Sequence, residues 1–191
     1  MTSNPIHIFQ DLYAKAAQVL DEPDAMVLST VGADGQPSGR FVLLKAVDDR
    51  GFVFYTNLGS RKARQLTAHA QAALTFYWPP LGKQVRIEGV VEPVSADEAD
   101  AYFASRPRDS QIGAWASKQS TQMTARTDLD ARILDVSARF EGVAVPRPPF
   151  WSGYRLVPRM IEFWTRDRAR LHLREHYERT NDGWSRSLLY P

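Results

Sequence analysis

Residues 25–57, AMVLSTVGADGQPSGRFVLLKAVDDRGFVFYTN, decide the fold class. Three runs rich in Val, Leu, Phe and Tyr, Ala25 to Val31, Arg40 to Val47 and Phe52 to Asn57, are separated by Asp34-Gly35 and by Asp48-Asp49-Arg50-Gly51. β-Branched and aromatic residues suit the half-buried, pleated surface of a sheet, and glycine supplies the positive φ of a tight reversal. Connections this short join antiparallel neighbours, because a parallel crossover takes a dozen residues or more.

The same reading extends in both directions. Asn4-Pro5 predicts a helix start, with Asn as cap and Pro at the first helical position, where no N–H is needed. Ile6, Phe9, Tyr13, Ala16 and Leu20 then keep helical spacing, so the helix is expected over about 5–20 and ended by Asp21 to Asp24 with Pro23. Further strands are predicted at Ala72 to Trp78, Gln84 to Val94, Trp151 to Val157 and Met160 to Thr165. A last hairpin, Arg170 to Arg179 with Trp184 to Leu189, turns at Asn181-Asp182-Gly183. Helices are expected at Arg61 to His69 behind Ser60, at Ala96 to Ser105 behind a Ser95/Glu98 capping box, and at Thr127 to Phe140. Short antiparallel strands with helices between them predict one mainly β domain over residues 1–191, a small barrel with peripheral helices. No strand runs into a GxGxxG or P-loop pattern, which removes the usual dinucleotide and ATP sites.

Composition narrows the chemistry. A chain of 191 residues, 43% hydrophobic and 24% charged, suits one compact domain. Its 24 basic and 22 acidic side chains give a net charge of only +2, without the clustered cationic surplus of a nucleic-acid binder. The lack of cysteine excludes disulfides, thiolate metal sites and a cysteine nucleophile. The four histidines show no metal-ligand spacing, so no metal is expected. No leader pattern or run of about 18 apolar residues is present, which predicts a cytoplasmic protein away from membranes.

Three clusters carry potential anion chemistry. Arg40 and Lys45 bracket the apolar run FVLL, and Gly59-Ser60-Arg61-Lys62 places two cations at a helix start. A helix N-terminus, a hydroxyl and a guanidinium fork together suit a phosphate, although surface charge bordering a core strand explains the same residues. Positions 40 and 45 differ in parity, so strict alternation points them to opposite faces unless a bulge or strand end intervenes. Ser105 to Gln111, SRPRDSQ, gathers donors in what reads as a loop after the capped helix. Along Arg170 to Arg174, alternation on a strand puts Arg170, His172 and Arg174 on one face, and Trp164 just before them is placed to cover a flat ligand.

Taken in order, RFVLLK (40 to 45), FYTNLGSRKA (54 to 63), QVRIEG (84 to 89), YFASRPRDSQIGAWASKQS (102 to 120), FWSGYRLVP (150 to 158), IEFW (161 to 164) and RLHLR (170 to 174) resemble the pyridoxamine 5′-phosphate oxidase family. The resemblance implies a homodimeric split β-barrel with FMN in two clefts at the subunit interface. One subunit would hold the flavin with Arg40, Phe41, Val42, Leu43, Leu44, Lys45, Tyr55, Thr56, Arg61 and Lys62. The other would offer Gln84, Gln119, Ser120, Trp164 and Arg174. The implied substrate is pyridoxamine or pyridoxine 5′-phosphate, its phosphate held by Lys45, Tyr102, Arg106 and Ser110. Arg170 and His172 are the implied catalytic pair, set against the pyridine ring so that a hydride passes from C4′ to the flavin, which molecular oxygen reoxidises with release of hydrogen peroxide. Leu173 and Leu188 stand where the family commonly has Asp and Arg, and no long arm that closes over substrate is expected before the first helix. Two other readings remain at this stage: a related FMN oxidase of phenazine type, and a flavin or pyridoxal-phosphate binding protein with little turnover.

Overall fold

The computed structural model describes residues 4–191. Expectations about a leader or an arm before the first helix fall partly on residues 1–3, outside the described residues. Helix α1 (Pro5–Ala16) is capped as the sequence predicts, Asn4 Oδ1 accepting from the Ile6 N–H at 3.0 Å. It is shorter than expected. Beyond Ala16 the chain tightens, with Gln18 N–H donating to the Lys15 carbonyl and Val19 N–H to that of Ala16, and Leu20 reaches the core from a turn.

Among the described residues nine strands make one antiparallel sheet: β1 (Ala25–Val31), β2 (Pro37–Leu43), β3 (Ala46–Asp48), β4 (Gly51–Asn57), β5 (Gln71–Trp78), β6 (Lys83–Pro93), β7 (Trp151–Thr165), β8 (Leu173–Thr180) and β9 (Gly183–Leu189). The order is β2-β1-β5-β6-β7-β4-β3, with the β8-β9 hairpin added beside β7. Strand β7 organises it. Its first half pairs with β4 and its second with β8, while β6 runs along its other edge from Tyr154 to Thr165.

The sequence reads β7 as two strands because Pro158 interrupts it. In the structure the pairing skips Arg159, so Glu88 faces Met160 and Gly89 faces Pro158. The irregularity accommodates a residue without an N–H, and the sheet continues. Gly89 is required there, since a Cβ would lie 2.0 Å from the Val157 carbonyl oxygen. The run Arg40 to Val47 is corrected the other way. It divides at Leu44-Lys45, where Leu44 N–H donates to the Asp24 carbonyl and Lys45 N–H to that of Val53, so the chain crosses from β1 to β4.

Phe9 seats α1 on the sheet, its ring 4.9 Å from Phe52 and 5.0 Å from Phe76, with Trp78 beside it. All four are buried, and truncating such a ring costs about 3–5 kcal/mol. Helix α2 (Arg61–Ala68) follows β4. Helices α3 (Ala96–Ser105), α4 (Arg108–Ala116) and α5 (Arg126–Arg139) form a second core around Phe103, Ile112, Val136, Phe140 and Trp151. Helix α4 occupies the segment read as a donor-rich loop. Among the described residues no helix is long and apolar enough to cross a membrane.

Candidate active site

The crossover, the end of β4, α2 and the α3-α4 junction enclose a cavity of about 690 Å³. Phe41, Val42, Leu43 and Lys45 line it from the crossover, Tyr55 and Thr56 from β4, Lys62 from α2, and Tyr102, Arg106 and Ser110 from the helical layer. Gln119 closes one side. Residues from Phe41 to Trp151, distant in sequence, thus meet at one surface.

At one end, Lys62 Nζ donates to Thr56 Oγ1 at 3.2 Å and to Gln119 Oε1 at 3.0 Å, both neutral oxygens. Burial, and then the nearby charge of Arg40, lowers the Lys62 pKa. Ser60 Oγ caps α2 by accepting from Ala63 N–H, which fixes the turn that presents Lys62. At the other end the Arg106 guanidinium lies 4.8 Å from the Trp151 ring centre and 5.6 Å from that of Phe103. Its Nη1 is buried without a hydrogen-bond partner, and burial lowers its pKa. A buried donor of this kind is destabilising until an acceptor meets it.

Tyr55 joins the two ends. Its ring stacks on Tyr102 at 4.0 Å and on Trp151 at 5.3 Å, three near-parallel aromatics in all. Gly153, opposite Tyr55 across the strand pair, leaves room for that ring; a Cβ would come within 2.7 Å of it. Burial, reinforced by the Glu98 carboxylate, pushes the Tyr55 phenol up to about 12, so it stays neutral near pH 7.

Other predicted residues lie elsewhere. Arg40 points inward and donates to the Leu28 carbonyl, the Thr30 and Ser38 hydroxyls and Gln65 Oε1, which occupies its terminal nitrogens within the chain. Arg40 and Lys45 do not share the cavity, but the break at Leu44-Lys45 separates them, not alternation along one strand. Leu44 is buried in the core, so only its backbone can reach a ligand. Arg61 is exposed at the start of α2 and lies outside the cavity lining. Ser120 has φ +68, a left-handed turn held by Thr121 N–H to the Lys118 carbonyl, and this turn directs Gln119 inward. Gln119 is expected across the interface from Thr56 and Lys62; in the structure one chain hydrogen-bonds all three together.

A second group gathers on the outer face of the sheet. Gln84, Trp164 and Arg174 sit side by side in the register of β6, β7 and β8. Beside them on the same face the buried Glu162 accepts from Arg174 and Arg86. Burial alone would raise the Glu162 pKa, but the hydrogen bonds from the two guanidiniums outweigh it and the net shift is downward. The strand face predicted for Arg170, His172 and Arg174 is corrected: β8 begins only at Leu173. Arg170 has φ +62, in a turn where its N–H donates to the Asp167 carbonyl. His172 still reaches the group, its ring 4.3 Å from that of Trp164. None of these residues lines the cavity of its own chain.

Sequence reading missed Trp151 and α4 as walls of the site. The apolar trio Ile112, Trp115 and Ala116 has helical spacing and was the available signal for α4, but Pro107 offers no side-chain cap.

Two family models cover most of the chain: "Pyridoxamine 5′-phosphate oxidase" matches residues 12–140, and "Pyridoxine 5′-phosphate oxidase C-terminal dimerisation region" matches 151–191. A pyridoxine/pyridoxamine 5′-phosphate oxidase of Myxococcus xanthus is 54% identical over 98% of this chain and 92% of its own length. One of Xanthomonas euvesicatoria is 55% identical over 96% and 94%. Among solved structures, PhzG of Burkholderia lata, in complex with tetrahydrophenazine-1-carboxylic acid, superposes with TM-score 0.93 at 37% identity, over 99% of this chain and 93% of that one. A pyridoxamine 5′-phosphate oxidase-related, FMN binding protein of Nostoc punctiforme shares the fold at TM-score 0.80 and 17% identity, over 100% of both chains. Full-length identity above one half and two adjoining family matches lead to one conclusion: the chain belongs to the pyridoxamine 5′-phosphate oxidase family.

Proposed function

We propose that the protein oxidises pyridoxamine 5′-phosphate and pyridoxine 5′-phosphate to pyridoxal 5′-phosphate with FMN as cofactor and molecular oxygen as final acceptor, releasing hydrogen peroxide. The observation that carries the reading is the pair of desolvated cations, Lys62 and Arg106, in one cavity, hydrogen-bonded to no carboxylate. Such a cavity asks for anions at both ends, as a flavin phosphate and a substrate phosphate would provide.

The residues fit FMN. Lys62, with Thr56 beside it and Arg61 at the helix start, would hold the phosphate, while Arg40 behind them adds to the field and braces β1 against β2. Phe41 to Leu43 offer an apolar strand edge suited to a flat ring. FMN, when bound, supplies the two-electron chemistry that no side chain here provides. Arg106, Ser110 and Lys45 would hold the substrate phosphate under Tyr102, leaving the pyridine end free.

Gln84, Trp164 and Arg174, with Arg170 and His172, would complete the site from a second copy of the chain. The match of residues 151–191 to a dimerisation region supports this, and so does the exposure of Leu171, Leu173 and Leu188 on that segment. His172 would offer Nε2 to the substrate ring, since Nδ1 is already engaged.

Likeness to PhzG keeps an unphosphorylated tricycle as the second reading. Steady-state assays with peroxide detection separate the two. Turnover of pyridoxamine 5′-phosphate is expected. A protein that ignores it, or that prefers a reduced phenazine carboxylate, overturns the proposal.

A further inference from the structure

Lys45 differs from the other two cavity cations in having a carboxylate of its own. Its Nζ lies 2.8 Å from Asp24 Oδ2, and both side chains are about three-quarters buried, at 26% and 22% exposure. Lys62 bonds only to neutral oxygens, and Arg106 Nη1 has no partner.

The carboxylate is also held on a fixed segment. The Asp24 carbonyl accepts from Leu44 N–H at 2.9 Å, and the preceding Pro23 carbonyl accepts from the indole of the buried Trp78 at 3.1 Å. The backbone that carries the Asp24 carboxylate is therefore anchored by both the crossover and the core. Tyr13 senses the same pair: burial first, then the charge of Asp24, raises its pKa, while Lys45 opposes the shift.

We propose that Asp24 is a positioning residue that weakens the hold of the cavity on phosphate esters by serving as the internal counter-ion of Lys45. A phosphate that approaches Lys45 shares the ammonium with Asp24, and the two anions repel across it. The charge that draws phosphorylated substrate in is thereby partly offset, and the phosphorylated product leaves faster. The proposal rests on the reading of Lys45 and Arg106 as the phosphate site.

The test uses the FMN-loaded protein and isothermal titration with pyridoxal 5′-phosphate, with unphosphorylated pyridoxal as control. Asp24→Asn should tighten pyridoxal 5′-phosphate by about fivefold, the equivalent of about 1 kcal/mol for a partly exposed pair. It should lower the KM for pyridoxamine 5′-phosphate in parallel and leave pyridoxal unchanged. A merely structural role would move both ligands together, which would overturn the proposal. Asp24→Ser provides a second variant should the first fold poorly. If Lys45→Met weakens pyridoxal 5′-phosphate while both Asp24 variants leave it unchanged or weaker, the counter-ion role fails and the phosphate site stands. If Lys45→Met itself has no effect, the phosphate-site reading fails, and the proposal with it.

Discussion

The backbone N–H of Asp167 donates to Nδ1 of His172 at 3.1 Å. An accepting Nδ1 leaves the proton of the neutral imidazole on Nε2, the nitrogen that remains available to a ligand. Asp167 builds the turn that makes this possible: its Oδ1 accepts from Ala169 N–H at 2.9 Å and its carbonyl from Arg170 N–H. Arg170 and His172 are thus displayed by a side-chain-braced turn instead of a strand.

The first prediction concerns that proton. Long-range proton–nitrogen NMR of the imidazole rings should show His172 as the Nε2–H tautomer in its neutral form. A neutral His172 protonated on Nδ1 would contradict the hydrogen bond and the role built on it.

Flavin retention is the second. Heat-released chromophore should be FMN and not FAD, because Lys62 and Arg61 serve one terminal phosphate and no dinucleotide motif is present. Lys62→Met removes a charge-assisted contact of about 1.5–3 kcal/mol, so FMN affinity should fall by roughly one to two powers of ten. Equilibrium dialysis measures it; unchanged retention would remove Lys62 from the flavin site.

What the sequence revealed followed the range of the chemistry involved. Asn4, Ser60 and Ser95 cap their helices as read, since a cap involves residues two or three apart. The β1-β2 and β3-β4 hairpins follow from Asp34-Gly35 and Gly51 for the same reason. Long-range partners decided the rest. Pro158 looks like a strand end until β6 supplies a register shift, and Arg40 to Val47 looks continuous until the pull of Asp24 and Val53 divides it. In the site, nothing local links Thr56, Lys62 and Gln119; only the family resemblance grouped them, and it gave Gln119 to the other subunit, whereas hydrogen bonds within one chain bring the three together. Asp24 passed for a helix terminator because its partner lies 21 residues away.

Acid sensitivity is the third prediction. The folded Glu162 pKa lies below the ordinary value of 4.5, so its contribution is present above about pH 4.5 and is lost as pH falls through the folded value. Glu162→Gln leaves Arg86 and Arg174 without their carboxylate. Since those two are partly exposed, the loss at neutral pH should be about 1–3 kcal/mol, less than for a fully buried pair. For a chain of this size that is about 2–4 °C of Tm per kcal/mol. Thermal scans at fixed protein concentration should show the gap between parent and variant closing below pH 4.5. A gap constant down to pH 3 would mean that Glu162 is not the linked group.

The fourth prediction separates holding the substrate from converting it. Arg106 reaches the cavity from the α3-α4 junction, whereas Arg170 lies in the turn before β8 and outside the cavity of its own chain, and neither is hydrogen-bonded to Lys62. Arg106→Ala should raise the KM for pyridoxamine 5′-phosphate by roughly 10- to 100-fold, through loss of a charge-assisted phosphate contact, with FMN retained. It also removes a buried donor left without an acceptor, so stability should change little, the lost stacking on Trp151 and Phe103 offsetting the relieved desolvation. Arg170→Ala should leave the protein yellow and dimeric and lower kcat more than KM, because the guanidinium orients the ring and does not hold the phosphate. Alanine keeps the Cβ that strains this left-handed position, whereas Arg170→Gly relieves the strain without restoring the charge. Equal losses of kcat in both Arg170 variants identify the guanidinium as the functional group. Recovery in the glycine variant alone would instead trace the defect to the shape of the turn and withdraw Arg170 from the catalytic pair.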